Sequence, residues 1–453
     1  MGILRPIACC VCCVSDGIAM SSRRVVITGM GLISPLGNCL ESLWSALAEG
    51  RSGVRPLDEP PLAALPIRYA GVASDFQEKI DDFGELAKDQ KKAIRKGLKV
   101  MCRECKMGIA SAQRAISDAG LEVGSFDPER AGVSFGSDYM LTRPDEFVEG
   151  VKACRDEQGE FDFTRWGKEG LPKVTPLWLL KYLPNMPASH IAIFNDLRGP
   201  NNSITLREAA ANLAVGEAFR IIARGSADVM VAGATGTRLH PMKTLHAVLQ
   251  EEIADNDLPP QSASRPFDLN RTGVVLGEGA ATVVLEDMAS AEARGARIYA
   301  EIVGHASSTV ADQDFAAQRD VAIANCLVGA LRDASATIND VGHLHAHGLS
   351  TRSSDEQEAR GIGRVFSDTN VPVTAAKSYF GNLGAGSGLI ELIASVLALQ
   401  NKRLFGVLNY SDPDPKCPIS VVRGVEANPG SSFLNVNVTP QGQASAIMVR
   451  SLA

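Results

Sequence analysis

The chain has 453 residues, 45% hydrophobic and 21% charged, an ordinary globular composition with enough apolar residues for a large core. A formal net charge of −7 leaves no basic surplus to meet phosphates, and 5% aromatic content gives few base-stacking platforms, which excludes a nucleic-acid partner. The 10 cysteines show no disulfide framework and suit a reducing, cytoplasmic setting, and no stretch is long and apolar enough to span a membrane.

In chain order, residues 1–22 read as an extension outside the fold. They hold Cys9, Cys10, Cys12 and Cys13 in a short apolar run that makes a poor signal peptide, and Met20 reads as the natural start. Residues 24–27 predict a buried strand, ended by a turn at Gly29-Met30-Gly31. A helix over 42–49 and a Pro-rich loop over 56–66 follow. Residues 89–119 predict one helix, with Ile94, Leu98, Met101 and Met107 near helical spacing. Its opening is basic: Lys91, Lys92, Arg95, Lys96 and Lys99 form either a solvated face or a docking face for an acidic partner. Within it, Cys102-x-x-Cys105 has the spacing of half a zinc site, but no second pair or nearby histidine completes it. Residues 145–173 are a polar surface excursion.

Strands are predicted over 228–234, 280–285 and 300–304, a helix over 320–334, and a strand into His347. A helix over 387–399 and strands over 433–438 and 444–449 complete the pattern. Two rounds of strand and helix alternation predict an α/β chain of two similar halves, 23–290 and 291–453, in one compact unit.

Three clusters carry chemistry. The first runs from Gly199 to Glu208 and into a long helix. Such a strand-to-helix turn sets its first helical side chain at the positive end of the helix dipole, where the field activates a nucleophile and backbone N–H groups can hold an oxyanion. Acidic residues also favour that place for purely structural reasons. The second cluster is His347-Gly348, with Asp355 and Glu358 following. His343, His345 and His347 share one strand face, as metal ligands would, but nothing elsewhere completes a site, and no metal or cofactor is expected. The third runs from Lys377 through Phe380-Gly381-Asn382 to Gly388, a glycine-rich turn entering a helix. It fails as a phosphate loop because Lys377 precedes the glycines.

Taken in this order, the clusters resemble the β-ketoacyl-[acyl-carrier-protein] synthases of the type II branch. The resemblance rests also on Gly29 to Gly37, Asn185, His190, Leu197-Arg198-Gly199-Pro200, Arg265-Pro266-Phe267-Asp268, Gly273, Leu276 to Ala280, and Ala346-His347-Gly348, and covers about residues 23–449. It implies a thiolase-like five-layer αβαβα fold of two duplicated halves, usually dimeric, acting on acyl thioesters held by an acidic acyl carrier protein. It also implies that Glu208 stands in place of the catalytic cysteine, His347 is the first catalytic histidine, and Asn382 replaces the second. Lys377 matches the family's lysine. The family's Gly-Phe-Gly-Gly gate reads here as Asn435 through Gln443, so Asn437, Thr439 and Gln441 are expected to line the substrate path together with Phe380. Pro440 removes a backbone N–H from the expected oxyanion region.

A carboxylate attacking a thioester would form a mixed anhydride, which rules out the covalent condensation that a thiolate performs. Two readings follow. The chain is a non-condensing, carrier-interacting partner, as a homodimer or paired with a cysteine-bearing synthase. Alternatively, Glu208 is a general base, with His347 and Asn382 polarising an acyl or malonyl thioester for decarboxylation, hydrolysis or proton transfer. The basic face from Lys91 to Lys99 then becomes the candidate carrier-docking surface.

Overall fold

The computed structural model describes residues 23–57, 67–424 and 427–452. The extension at 1–22 and most of the Pro-rich loop lie outside these residues. The strands are β1 Val25–Ile33, β2 Val54–Pro56, β3 Tyr69–Gly71, β4 Ala131–Ser137, β5 Asn201–Thr205, β6 Val229–Thr237, β7 Glu278–Asp287, β8 Ala300–Thr309, β9 His343–His345, β10 Val373–Thr374, β11 Ser432–Val438 and β12 Gln443–Arg450. The helices are α1 Leu40–Glu49, α2 Lys88–Gly97, α3 Arg103–Asp118, α4 Val148–Ala153, α5 Met186–Asn195, α6 Ala210–Ala223, α7 Pro241–Gln250, α8 Met288–Ala293, α9 Arg319–Asp333, α10 Arg352–Phe366, α11 Lys377–Phe380 and α12 Ser387–Asn401.

Ten strands run in the order β10-β9-β11-β12-β8-β1-β7-β6-β4-β5. The order is symmetric about the β8–β1 seam. Going outward on either side, two antiparallel pairings are followed by two parallel ones. This repeat of topology is the duplication, although the two halves share little sequence. Helices α6 and α12 pack against each other and against strands of both halves, while α3 and α5 cover one outer face and α9 and α10 the other. The result is the thiolase-like five-layer αβαβα arrangement. Strand alternation sorts the residues: on β6, Met230, Ala232 and Ala234 face the central helices, and Val229 and Val231 face α3. Helix α12 is apolar nearly all round because it is the middle layer, buried from Ser387 to Leu399.

Two sequence expectations are corrected. Gly29 and Gly31 do not end the first strand; β1 continues to Ile33. They are glycines because α3 crosses there: a Cβ on Gly29 would sit 2.2 Å from the Ala115 carbonyl, and one on Gly31 2.3 Å from that of Ser111. The helix expected over 89–119 is two helices. Met101 is extended (φ −128°, ψ 129°) and Cys102 caps α3, so the basic residues sit on α2 and the short turn after it, separate from the buried α3.

Candidate functional site

The turn between β5 and α6 sets the site. Arg207 adopts φ 47°, a left-handed conformation that costs a side-chain-bearing residue about 1 kcal/mol or more. This reversal starts the 3₁₀ turn Arg207–Ala209, which carries Glu208 and leads into α6. Glu208 is 1% exposed. Its Oε1 accepts from Asn382 Nδ2 at 3.1 Å. Arg207 Nε lies 3.3 Å from Oε2, and Arg238 Nη1, just past β6, lies 3.5 Å from Oε1. Glu251 closes the cluster by pairing with Arg207 Nη2 at 2.9 Å and with Arg238 Nη2. Burial alone would raise the Glu208 pKa, but Arg207 and Arg238 outweigh it and hold the carboxyl down to about 2. Glu208 is therefore an ionised member of a buried ion-pair network. A carboxylate of that pKa is a poor proton acceptor at neutral pH, which disfavours the alternative reading of Glu208 as a general base.

His347 follows β9 and is 1% exposed. Its backbone N–H and that of Gly348 donate to Glu358 at 2.6 and 2.8 Å, while Asp355 accepts from Leu349 and Ser350, so α10 fixes the loop. Lys377 Nζ donates to His347 Nδ1 (3.2 Å), to the His347 carbonyl (2.9 Å) and to Glu391 on α12, which uses all three ammonium protons. Asn437 Nδ2 reaches Glu391 at 2.7 Å and lies 3.4 Å from His347 Nδ1. Because only donors face Nδ1, the imidazole proton is on Nε2. Burial, then the Lys377 charge, hold the His347 pKa well below its ordinary value, so the ring is neutral. His347 is thus a preset hydrogen-bond donor through Nε2, braced by Lys377, Glu391 and Asn437.

Asn382 cannot flip freely: its Oδ1 accepts from the Gly384 N–H at 3.0 Å, which turns the amide nitrogen toward Glu208. His343 and His345 are occupied elsewhere. His343 Nδ1 donates to the Pro429 carbonyl at 2.7 Å, and His345 bridges Ser395 (2.8 Å) and the Ala376 N–H (3.1 Å). The loop between β11 and β12, expected at the place of the family's glycine-rich gate, is a tight hairpin closed by Thr439 N to Gln443 O (2.9 Å) and Gly442 N to Thr439 O (3.0 Å). Cys326 packs in the outer core of the C-terminal half with Sγ donating to the Ile323 carbonyl at 3.2 Å, so it offers no substitute nucleophile here.

A cavity of about 240 Å³ is lined by Asp138, Tyr139, Thr205, Leu206, Arg207, Thr439, Gln441 and Gln443. Of the expected substrate-path residues it includes Thr439 and Gln441. Phe380 is instead in the central core, and Asn437 is committed to the His347–Glu391 network. The lining reaches Arg207 but does not include Glu208. Arg207, Arg238, Glu251 and Glu391 were missed by sequence reasoning. Glu391 had a readable signal, a single acid in an otherwise apolar helix, which needs a buried partner. Arg238 and Glu251 gave none, because only the fold brings them to Glu208.

Residues 22–291 match the N-terminal domain of β-ketoacyl synthase and residues 299–411 its C-terminal domain. The chain belongs to the β-ketoacyl synthase family. It is 35% identical over 407 residues to 3-oxoacyl-[acyl-carrier-protein] synthase 2 of Vibrio harveyi, covering 89% of this chain and 92% of that one. Among solved structures it is similar to a type II polyketide synthase acyl-carrier protein in complex with its ketosynthase bound to the hexaketide (TM-score 0.80, 25% identity, 95% of this chain, 100% of that one). It is also similar to the ishigamide ketosynthase/chain length factor (TM-score 0.78, 25% identity, the same coverage). On this β-ketoacyl synthase scaffold, His347 is held by Lys377 and Asn437, and Glu208 at the turn before α6 is ion-paired with Arg207 and Arg238.

Proposed function

We propose that this protein is a non-condensing member of the β-ketoacyl synthase family, a partner that engages acyl carrier protein without forming a covalent acyl-enzyme. One observation carries the reading: Glu208, at the elbow before α6, is buried, ionised and clamped between Arg207 and Arg238. The negative field of Glu208 also opposes a malonyl carboxylate or a forming enolate at the same place. The competing role, Glu208 as general base with His347 and Asn382 polarising a thioester, is disfavoured by the low pKa and by the commitment of the Asn382 amide to Glu208. The likeness to a ketosynthase/chain length factor structure supports a partner role.

The docking surface for the carrier is α2 and the turn after it. Lys92, Arg95, Lys96 and Lys99 are exposed there, and Lys91 pairs with Asp81 at 2.8 Å. An acidic carrier would meet this face by steering and rim contacts, which respond to salt. The triple reversal Lys92→Glu, Arg95→Glu, Lys96→Glu is expected to weaken carrier binding at least about tenfold at low salt, with a smaller loss at high salt. Calorimetric titration with an acyl carrier protein reads this directly, and an unchanged affinity removes the docking assignment.

The subunit contact is proposed for the free edge of β5. Among the described residues this strand pairs with β4 on one side only, and α5 beside it carries Ile193 at 71% exposure. A second copy, or a cysteine-bearing synthase, would cover both. No helix among the described residues is long and apolar enough to cross a membrane, and a cytoplasmic location remains part of this proposal.

A further inference from the structure

Cys102 and Cys105, whose spacing alone completes no metal site, gain a third sulfur that the sequence does not bring near. Cys102 caps α3 and Cys105 lies one turn on, so both thiols share one side of the helix start. Their Sγ atoms are 3.6 Å apart, and Met140 Sδ, from the segment after β4, lies 3.9 Å from each. A point equidistant from sulfurs at those separations is about 2.2 Å from each, close to the length of a metal–thiolate bond, about 2.3 Å for zinc. Cys105 is 0% exposed and Met140 8%, while Cys102 is half-buried and gives access from outside.

We propose that Cys102, Cys105 and Met140 form a trigonal site for a soft monovalent cation of the copper(I) type. Thioether and thiolate donors together select copper(I), whereas zinc would require a fourth nitrogen or thiolate ligand, and among the described residues no His, Asp or Glu joins the three sulfurs. Binding displaces both thiol protons, two thiolates and one thioether replace the solvent ligands of the cation, and no oxidation step is involved. The single negative charge that results lies at the N-terminal end of the 16-residue α3, whose first turn also carries Glu104, while Arg103 pairs with Glu78 and Glu278 and Lys106 with Glu78.

The test uses the full chain with Cys9, Cys10, Cys12, Cys13 and Cys39 changed to serine, so that these other thiols do not compete. It is titrated with copper(I) against bicinchoninate under anaerobic, reducing conditions. One equivalent of copper is expected to be retained, with three sulfur neighbours at about 2.2 Å by X-ray absorption. Cys102→Ser and Cys105→Ser should each abolish retention, and the isosteric Met140→Leu should weaken it about tenfold or more. Failure to retain copper after reduction, retention indifferent to either serine change, or an unaltered affinity in Met140→Leu overturns the site. So does a Cys102–Cys105 disulfide as the pair's only detectable chemistry.

Discussion

Replacing Glu208 by glutamine is expected to destabilise the protein by about 3 kcal/mol, an unusual cost for a change that keeps size and shape. The loss arises because Arg207 and Arg238 would stay buried with Glu251 as their remaining close acidic partner. Glu208→Gln combined with Arg238→Gln should recover much of the loss, and a double-mutant cycle by denaturant unfolding measures that coupling. The pH dependence has a definite sign. The Glu208 pKa is depressed in the fold from 4.5 to about 2, so its stabilisation is complete above about pH 4.5 and disappears as pH falls toward 2. The stability gap between wild type and Glu208→Gln should therefore close over that window. A gap that is small at pH 7, or constant down to pH 3, would show that Glu208 is not held as an ion pair.

Lys377→Met is expected to cost about 3–5 kcal/mol, the range for breaking a buried ion pair by removing one partner. Glu391 is 0% exposed and would keep only Asn437, so it would take up a proton. His347 would lose the ammonium that faces Nδ1, which frees the imidazole to change tautomer. Pairing Lys377→Met with Glu391→Leu should return most of the stability without restoring the Nε2–H tautomer. Denaturant melts read the first effect, and the ¹⁵N shifts of the His347 ring read the second. An unaltered ring spectrum in Lys377→Met would mean that the lysine does not set the tautomer.

The strands with continuous apolar runs and the long helices were legible because burial on both faces leaves a compositional mark. Glu208, His347 and Asn382 were likewise found as positions, since a turn before a helix and a glycine beside a histidine are local features. What the sequence could not express was which distant groups meet. Arg238 and Glu251 make the Glu208 carboxylate part of an ion-pair network, and Met140 adds a sulfur to a motif that is incomplete in the sequence. The glycines at Gly29 and Gly31 misled for a related reason. Their local meaning is a turn, but here a helix crossing the strand demands the space. The break between α2 and α3 was hidden because Leu98 and Met101 keep helical spacing through a segment whose backbone becomes extended.

The most direct measurement is an intact-mass and product assay on the purified protein with acyl-loaded and malonyl-loaded carrier proteins. The protein alone should show no acyl adduct and yield no β-ketoacyl-carrier product, while still binding the carrier. A covalent acyl-enzyme, or β-ketoacyl product formed without any cysteine-bearing synthase present, would contradict the assignment of a non-condensing partner.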